Sequence, residues 1–112
     1  MIKIEIQRQK NKIIYFEIKG HANFSEYGED VICAAVSSVG QMTVNGLIET
    51  LKLKKKLKFT EEDGYIFCDL KNSGLTDDEL ENADILVESM YSYLKDVAKS
   101  YKNFVKLREI KK

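Results

Sequence analysis

Proline and tryptophan are absent from this 112-residue sequence, histidine occurs once and cysteine twice, and acidic and basic side chains cancel at 18 each. Each shortage narrows the reading. Without proline, turns must come from Gly, Asn, Asp and Ser. One histidine and two distant cysteines do not make a zinc ligand set, so no metal and no other cofactor is expected. Proteins that live on nucleic acid usually carry a basic surplus that neutralises phosphates. None is present, and direct nucleic-acid binding is not expected. The local run Lys52, Lys54, Lys55, Lys56, Lys58 stands apart, and a solvated helix end or edge strand accounts for it. No apolar stretch reads as long enough to span a membrane, and no membrane partner is expected. The N-terminus alternates instead of forming the apolar core of a secretory signal. A cytoplasmic protein with reduced thiols is therefore expected, although two cysteines leave a disulfide open.

What is there is ordinary for a soluble globular chain: 44% apolar and 32% charged residues, enough for a core without staples. Length, and the lack of repeats or linkers, predict one domain over 1–112. Ile2, Ile4 and Ile6 alternate with polar residues, as do Ile14, Phe16 and Ile18. With Lys10-Asn11-Lys12 between them, they predict a β-hairpin. From Gly20 to Gly28 periodicity is lost, which predicts an irregular loop. From about Asp30 apolar residues recur at helical steps (Val36, Val39, Val44, Leu47, Ile48, Leu51), and Ala34, Ala35, Ser37, Ser38 and Gly40 permit close packing. A second hairpin follows, Leu57 and Phe59 against Ile66, Cys68 and Leu70, turned by Asp63-Gly64. Thr76-Asp77-Asp78-Glu79 forms a capping box before a stripe of Leu80, Ala83, Val87, Met90, Leu94, Val97 and Tyr101. Phe104 to Arg108 suits a last short strand. The order β-β-α-β-β-α, with that final strand as an optional addition, predicts a two-layer α+β sandwich. Its mainly antiparallel sheet has four to five strands, and two helices cover one face. Strand order does not follow from these patterns. Tyr91, Tyr93 and Tyr101 exceed what one sheet needs on the second helix, which makes it a candidate dimer face, with half-buried tyrosines as the plain alternative.

The chemistry concentrates between Gly20 and Ser37. His21 ends a strand and Cys33 begins a helix, with the loop joining them. A cysteine in the first helical turn feels the positive end of the helix dipole, which favours thiolate. Free N–H groups there suit an oxyanion, and His21 suits proton transfer from the thiol and back to a leaving amine. Asp30, Cys33 and Ser37 fall on one helical stripe, where Asp30 would orient an imidazole or cap the helix and Ser37 would bond the thiolate or position substrate. The plain reading remains open beside this one. A cysteine among Val, Ile and Ala is commonly a small buried hydrophobe, and a histidine before a loop is commonly solvated. Cys68 shares the face of Ile66 and Leu70 and reads as core.

Gly20-His21-Ala22, Tyr27-Gly28, Asp30-Val31-Ile32-Cys33-Ala34-Ala35 and Ser37 resemble the signature of the ribosomal-processing cysteine protease family, Prp (YsxB-like). Asn45-Gly46-Leu47 and the Asp63-Gly64 turn also fit, so the resemblance runs through the chain. It implies a cysteine endopeptidase with His21 and Cys33 as catalytic dyad, supported by Asp30 and Ser37. It further implies a homodimer, and as substrate a short N-terminal extension on large-subunit ribosomal protein twenty-seven, cut after an aromatic pair. On this reading the loop closes over an extended peptide, with Gly20 and Gly28 as hinges and Phe24 and Tyr27 packing on substrate aromatics or simply anchoring the loop. Two rivals are a non-catalytic ribosome-associated assembly factor with the same fold, and a thiol redox protein using Cys33.

Overall fold

In a computed structural model of the chain, residues 1–20 and 27–112 are described, residues 27–30 by their backbone alone. The isoleucine alternation becomes a hairpin of β1 (Ile2–Gln9) and β2 (Lys12–Lys19). Lys10 and Asn11 turn it with positive φ angles of 52° and 65°. That mirror-image turn matches the right-handed twist of the strands it joins. The register steps from Gln7↔Tyr15 to Arg8↔Ile13, passing over Ile14. The bulge leaves both Ile13 and Ile14 buried. It also frees the Ile14 carbonyl to accept the N–H groups of Leu70 and Lys71 at 2.9 and 3.0 Å.

Helix α1 (Tyr27–Asn45) runs on through one wider π turn, Gly46–Thr50. It starts three residues before the expected Asp30, so Gly28 lies in its first turn and not at the end of a loop. A glycine costs about 1 kcal/mol inside a helix, an amount the apolar stripe that follows outweighs. Ile32, Val36, Val44 and Leu47 of that stripe are buried. Gly40 permits the close packing expected of the small residues: a Cβ there would stand 2.9 Å from Ile18 Cδ1 and 3.0 Å from Ile66 Cδ1. The continuous helical stretch Val31–Thr50 reaches a mean hydropathy of 1.5, the length and composition of a membrane span, against the expectation of no such segment. Here it lays its buried residues on the sheet.

The second hairpin is β3 (Lys58–Glu62) and β4 (Tyr65–Asp69). Helix α2 (Asp77–Ser100) opens on the predicted capping box, Glu79 N–H donating to Thr76 Oγ1 at 3.1 Å and Thr76 N–H to Glu79 Oε1 at 2.9 Å. Ala83, Val87, Met90, Leu94 and Val97 face the core, while Leu80 is half-buried and Tyr101 is exposed beyond the helix end. Arg8 ties α2 to the sheet, donating to Glu88 and to Glu109 of β5 (Val105–Lys111). The five strands lie in the order β3-β4-β2-β1-β5, all antiparallel neighbours except β5 beside β1, which are parallel. Helix α1 crosses from β2 to the parallel β3 over one intervening strand and α2 from β4 to the parallel β5 over two, and both cover the same face. The expected two-layer α+β sandwich is the one observed.

Candidate active site

Gly20 follows β2 at the end of the sheet, with φ of +107°, a conformation that favours glycine. Space enforces the same choice: a Cβ there would sit 2.4 Å from the Met1 carbonyl oxygen. Its N–H donates to the Gly64 carbonyl at 3.0 Å, so the β3–β4 turn fixes the residue that precedes His21. Its own carbonyl accepts the Cys33 thiol at 4.0 Å. Three distant stretches of chain therefore meet at Cys33: the end of β2, the Asp63-Gly64 turn and α1.

Cys33 is partly buried on α1 and packs beside the core. The earlier helix start corrects one expectation. Six residues separate Cys33 from Tyr27, which places the thiol beyond the first turn. The dipole effect fades within that turn, and the free N–H groups belong to it. Ser37, one turn on, is half-buried and lines a cleft of about 50 Å³ with Gly20, Gln41, Glu62, Asp63 and Tyr65. No hydrogen bond joins Ser37 to Cys33 among the described residues. Gln41, one turn beyond Ser37 on α1, and Glu62 went unnoticed in sequence, and only the pairing of β3 with β4 and of β4 with β2 carries Glu62 to Gly20; the Asp63-Gly64 turn was the one local signal. His21 and Phe24 lie outside the described residues, and Tyr27, Gly28 and Asp30 are described as helical backbone. Among the described residues no group of His, Cys, Asp and Glu could hold a metal ion.

Cys68 is fully buried on β4, as expected of a core residue, and burial pushes its thiol up to about 12. A redox cycle through Cys33 would find no accessible resolving thiol there.

A half-exposed thiol at the sheet end, beside the backbone that leads into a histidine, is the arrangement of a cysteine hydrolase. The sequence model described as "Cysteine protease Prp" matches residues 1–106. The chain belongs to that family. The ribosomal processing cysteine protease Prp of Bacillus subtilis (strain 168) is 35% identical over 104 residues, 92% of each chain. Among solved structures, a Streptococcus mutans protein superposes with a TM-score of 0.79 at 31% identity, over 100% of this chain and 96% of that one. Staphylococcus aureus Prp, in complex with a covalently linked product peptide, gives 0.73 at 25% identity over 97% and 99% of the two chains. The membership establishes the cysteine protease expected from the motif and agrees with the five-stranded sheet and two helices observed.

Proposed function

We propose that the chain removes a short N-terminal extension from large-subunit ribosomal protein twenty-seven, with the Cys33 thiolate as nucleophile and His21 as general base and acid. The observation that carries this is the 4.0 Å contact between Cys33 Sγ and the carbonyl of Gly20, the residue immediately before His21. The relatives' name, ribosomal processing cysteine protease, supports the substrate class. The covalently linked product peptide in the Staphylococcus aureus enzyme supports covalent catalysis.

The thiol proton is directed at the Gly20 carbonyl. Catalysis transfers it to His21, and the thiolate attacks the scissile carbonyl carbon. The tetrahedral intermediate collapses to a thioester as the imidazolium protonates the leaving amine. Water, deprotonated by the same imidazole, then hydrolyses the thioester and restores the thiol. Asp30 and Ser37 act as positioning residues, Ser37 from the cleft wall.

We assign the homodimer to the outer surface of the helices. Val39, Met42, Gly46, Leu86, Met90 and Tyr93 border a groove of about 510 Å³ between α1 and α2. Met42 and Ile85 are 69% and 66% exposed beside it. Such a continuous apolar strip is what an association surface offers. Tyr93 contributes to the strip, whereas Tyr91 lies half-buried under the guanidinium of Arg8, 5.3 Å from its ring centre. A cytoplasmic location, where the substrate is made, completes the reading.

Cleavage of a fluorogenic peptide carrying the extension tests the assignment. Cutting by the wild type, lost in Cys33→Ala and in His21→Ala, is the expected result. Binding without cutting by the wild type would overturn the protease assignment for this substrate.

A further inference from the structure

The sheet face turned away from the helices sorts charge in a way the sequence hides. Strand alternation places Lys3 and Glu5 of β1, Tyr15, Glu17 and Lys19 of β2, Tyr65 and Phe67 of β4, and Lys106 and Arg108 of β5 on that face. The register then lines up Tyr65, Lys19, Lys3 and Lys106 across four neighbouring strands. Phe67, Glu17, Glu5 and Arg108 form the next row.

Like charges set directly opposite one another destabilise a sheet. Lys19, Lys3 and Lys106 nevertheless stand side by side, all exposed. Lys19 is ion-paired, to Glu17 at 3.7 Å, while Lys3, Lys106 and Arg108 have no carboxylate partner among the described residues. Two of the carboxylates on this face, those beside the cations, are engaged internally. Glu17 accepts the hydroxyls of Tyr65 and Tyr15 at 2.9 and 3.3 Å, and Glu5 accepts the Gln7 amide at 2.8 Å. The four cations and these two carboxylates border a shallow hollow of about 340 Å³. Next to it runs a half-buried aromatic strip. Phe67 lies 6.0 Å from Tyr15 and 6.2 Å from Tyr65, ring centre to ring centre. Glu62 and Asp69 flank the strip on β3 and β4.

We propose that this open face binds a single-stranded RNA, its phosphates along Lys19, Lys3, Lys106 and Arg108 and its bases against Phe67 and Tyr65. A row of cations, three of the four without a carboxylate partner among the described residues, attracts any polyanion, but flat rings beside it add surfaces on which bases stack and which an acidic peptide does not use. RNA in preference to DNA rests on the ribosomal reading above. Zero net charge argued against nucleic acid for the molecule as a whole. The fold sets four cations together on one half of one face, where balance over the whole chain no longer decides the local field. Lys19 directly precedes Gly20, and Tyr65 also lines the cleft beside Ser37, so the face adjoins the nucleophile. A substrate held with its RNA would be presented there.

Fluorescence anisotropy of the full chain with a labelled, unstructured RNA of about a dozen nucleotides tests the proposal. Four phosphate contacts predict that affinity falls roughly 50-fold between about 50 and about 200 mM KCl. Lys3→Glu with Lys106→Glu should weaken binding at least about tenfold and flatten that salt dependence. Phe67→Ala should weaken it roughly tenfold through lost stacking. Lys3→Gln with Lys106→Gln, which relieves repulsion and so folds at least as well, should reproduce the flattened salt response. Cleavage of a short peptide should be unchanged in all of these variants. No binding at low salt would overturn the proposal, as would binding indifferent to Lys3 and Lys106, which would point to the lysine run before β3. Equal displacement by polyglutamate with no effect of Phe67→Ala would reduce the face to a general anion patch. Tighter binding of the matching DNA strand would overturn the choice of RNA. Peptide cleavage without RNA binding would sink this inference while leaving the proposed function standing.

Discussion

Cys68 lies in the middle of β4, opposite Phe16 on one side and Phe59 on the other, with no exposed surface. Cys33 lies at the end of the sheet, partly exposed, its sulfur held toward the Gly20 carbonyl. The same residue type thus serves two opposite purposes. On β4 the apolar surroundings, with Asp69 adding a smaller electrostatic contribution, disfavour thiolate, and the thiol acts as a small hydrophobe. At the sheet end, backbone from β2 and a turn are arranged around the sulfur, and the surface there stays half-open. Position at the edge of the core, not residue identity, separates the cysteine proposed as nucleophile from the packing one.

The comparison breaks most decisively at Cys33. Cys33→Ala should lower kcat/KM for the extension peptide by at least about 10⁴-fold while thermal unfolding stays put, because a nucleophile carries the whole covalent route. Measurable turnover in that variant would remove Cys33 from the chemistry. Iodoacetamide labelling followed by mass analysis should modify Cys33 in the native protein and Cys68 only after unfolding.

Gly20→Ala comes next, since its Cβ would collide with backbone at 2.4 Å on top of a strained φ. A loss of about 1–3 kcal/mol in denaturant unfolding is expected from strain of this kind, with reduced turnover because the thiol's neighbour must shift. Gly74→Ala is the control. It has positive φ, but nothing lies within 4 Å of its Cβ, so it should cost less and leave turnover alone.

The core thiol sharpens the contrast through pH. Its folded pKa lies above the unfolded one, so the folded state keeps a proton that the unfolded state releases. The stability this confers is complete below the unfolded value near 9 and is lost as pH climbs toward about 12. Across that window the thiol contributes a decline of about 1.4 kcal/mol per pH unit. Tyr15 and Tyr65, also shifted upward by burial first and then by Glu17, titrate in the same direction. The difference between wild type and Cys68→Val in alkaline urea melts therefore isolates the thiol, and a variant with the same alkaline slope would contradict the assignment.

The smallest effect lies away from both cysteines. Thr76→Ala, which removes one half of the capping box, should cost about 1 kcal/mol and leave peptide cleavage unchanged.

Much of the fold was legible because it is written locally. Ile2, Ile4 and Ile6 show their buried face through alternation, Thr76 and Glu79 mark a helix start by their spacing, and Asp63-Gly64 declares its turn. Cys68 was readable as core from its neighbours on β4. At the candidate site the motif residues were legible through the family signature. Their supports were not: the Gly64 carbonyl that fixes Gly20, and Glu62 in the cleft beside Ser37, depend on which strands are neighbours. The start of α1 at Tyr27 was misread because Gly28 looks like punctuation, and a long apolar stripe outweighs one glycine.

Sequence by itself determined the type and order of the elements, with the last strand left optional, and the buried face of each strand, because these are properties of periodicity and spacing along a few turns of chain. The family and the residues proposed for chemistry came from the resemblance of one motif. Tertiary structure alone decided that β5 lies parallel beside β1, that Gly20 stands between the turn of one hairpin and the thiol of a helix, and that Lys3, Lys19 and Lys106 form one row. The physical reason is that strand neighbours are chosen by how the whole core closes beneath two crossover helices. That choice brings together residues a hundred positions apart, and no local pattern records it.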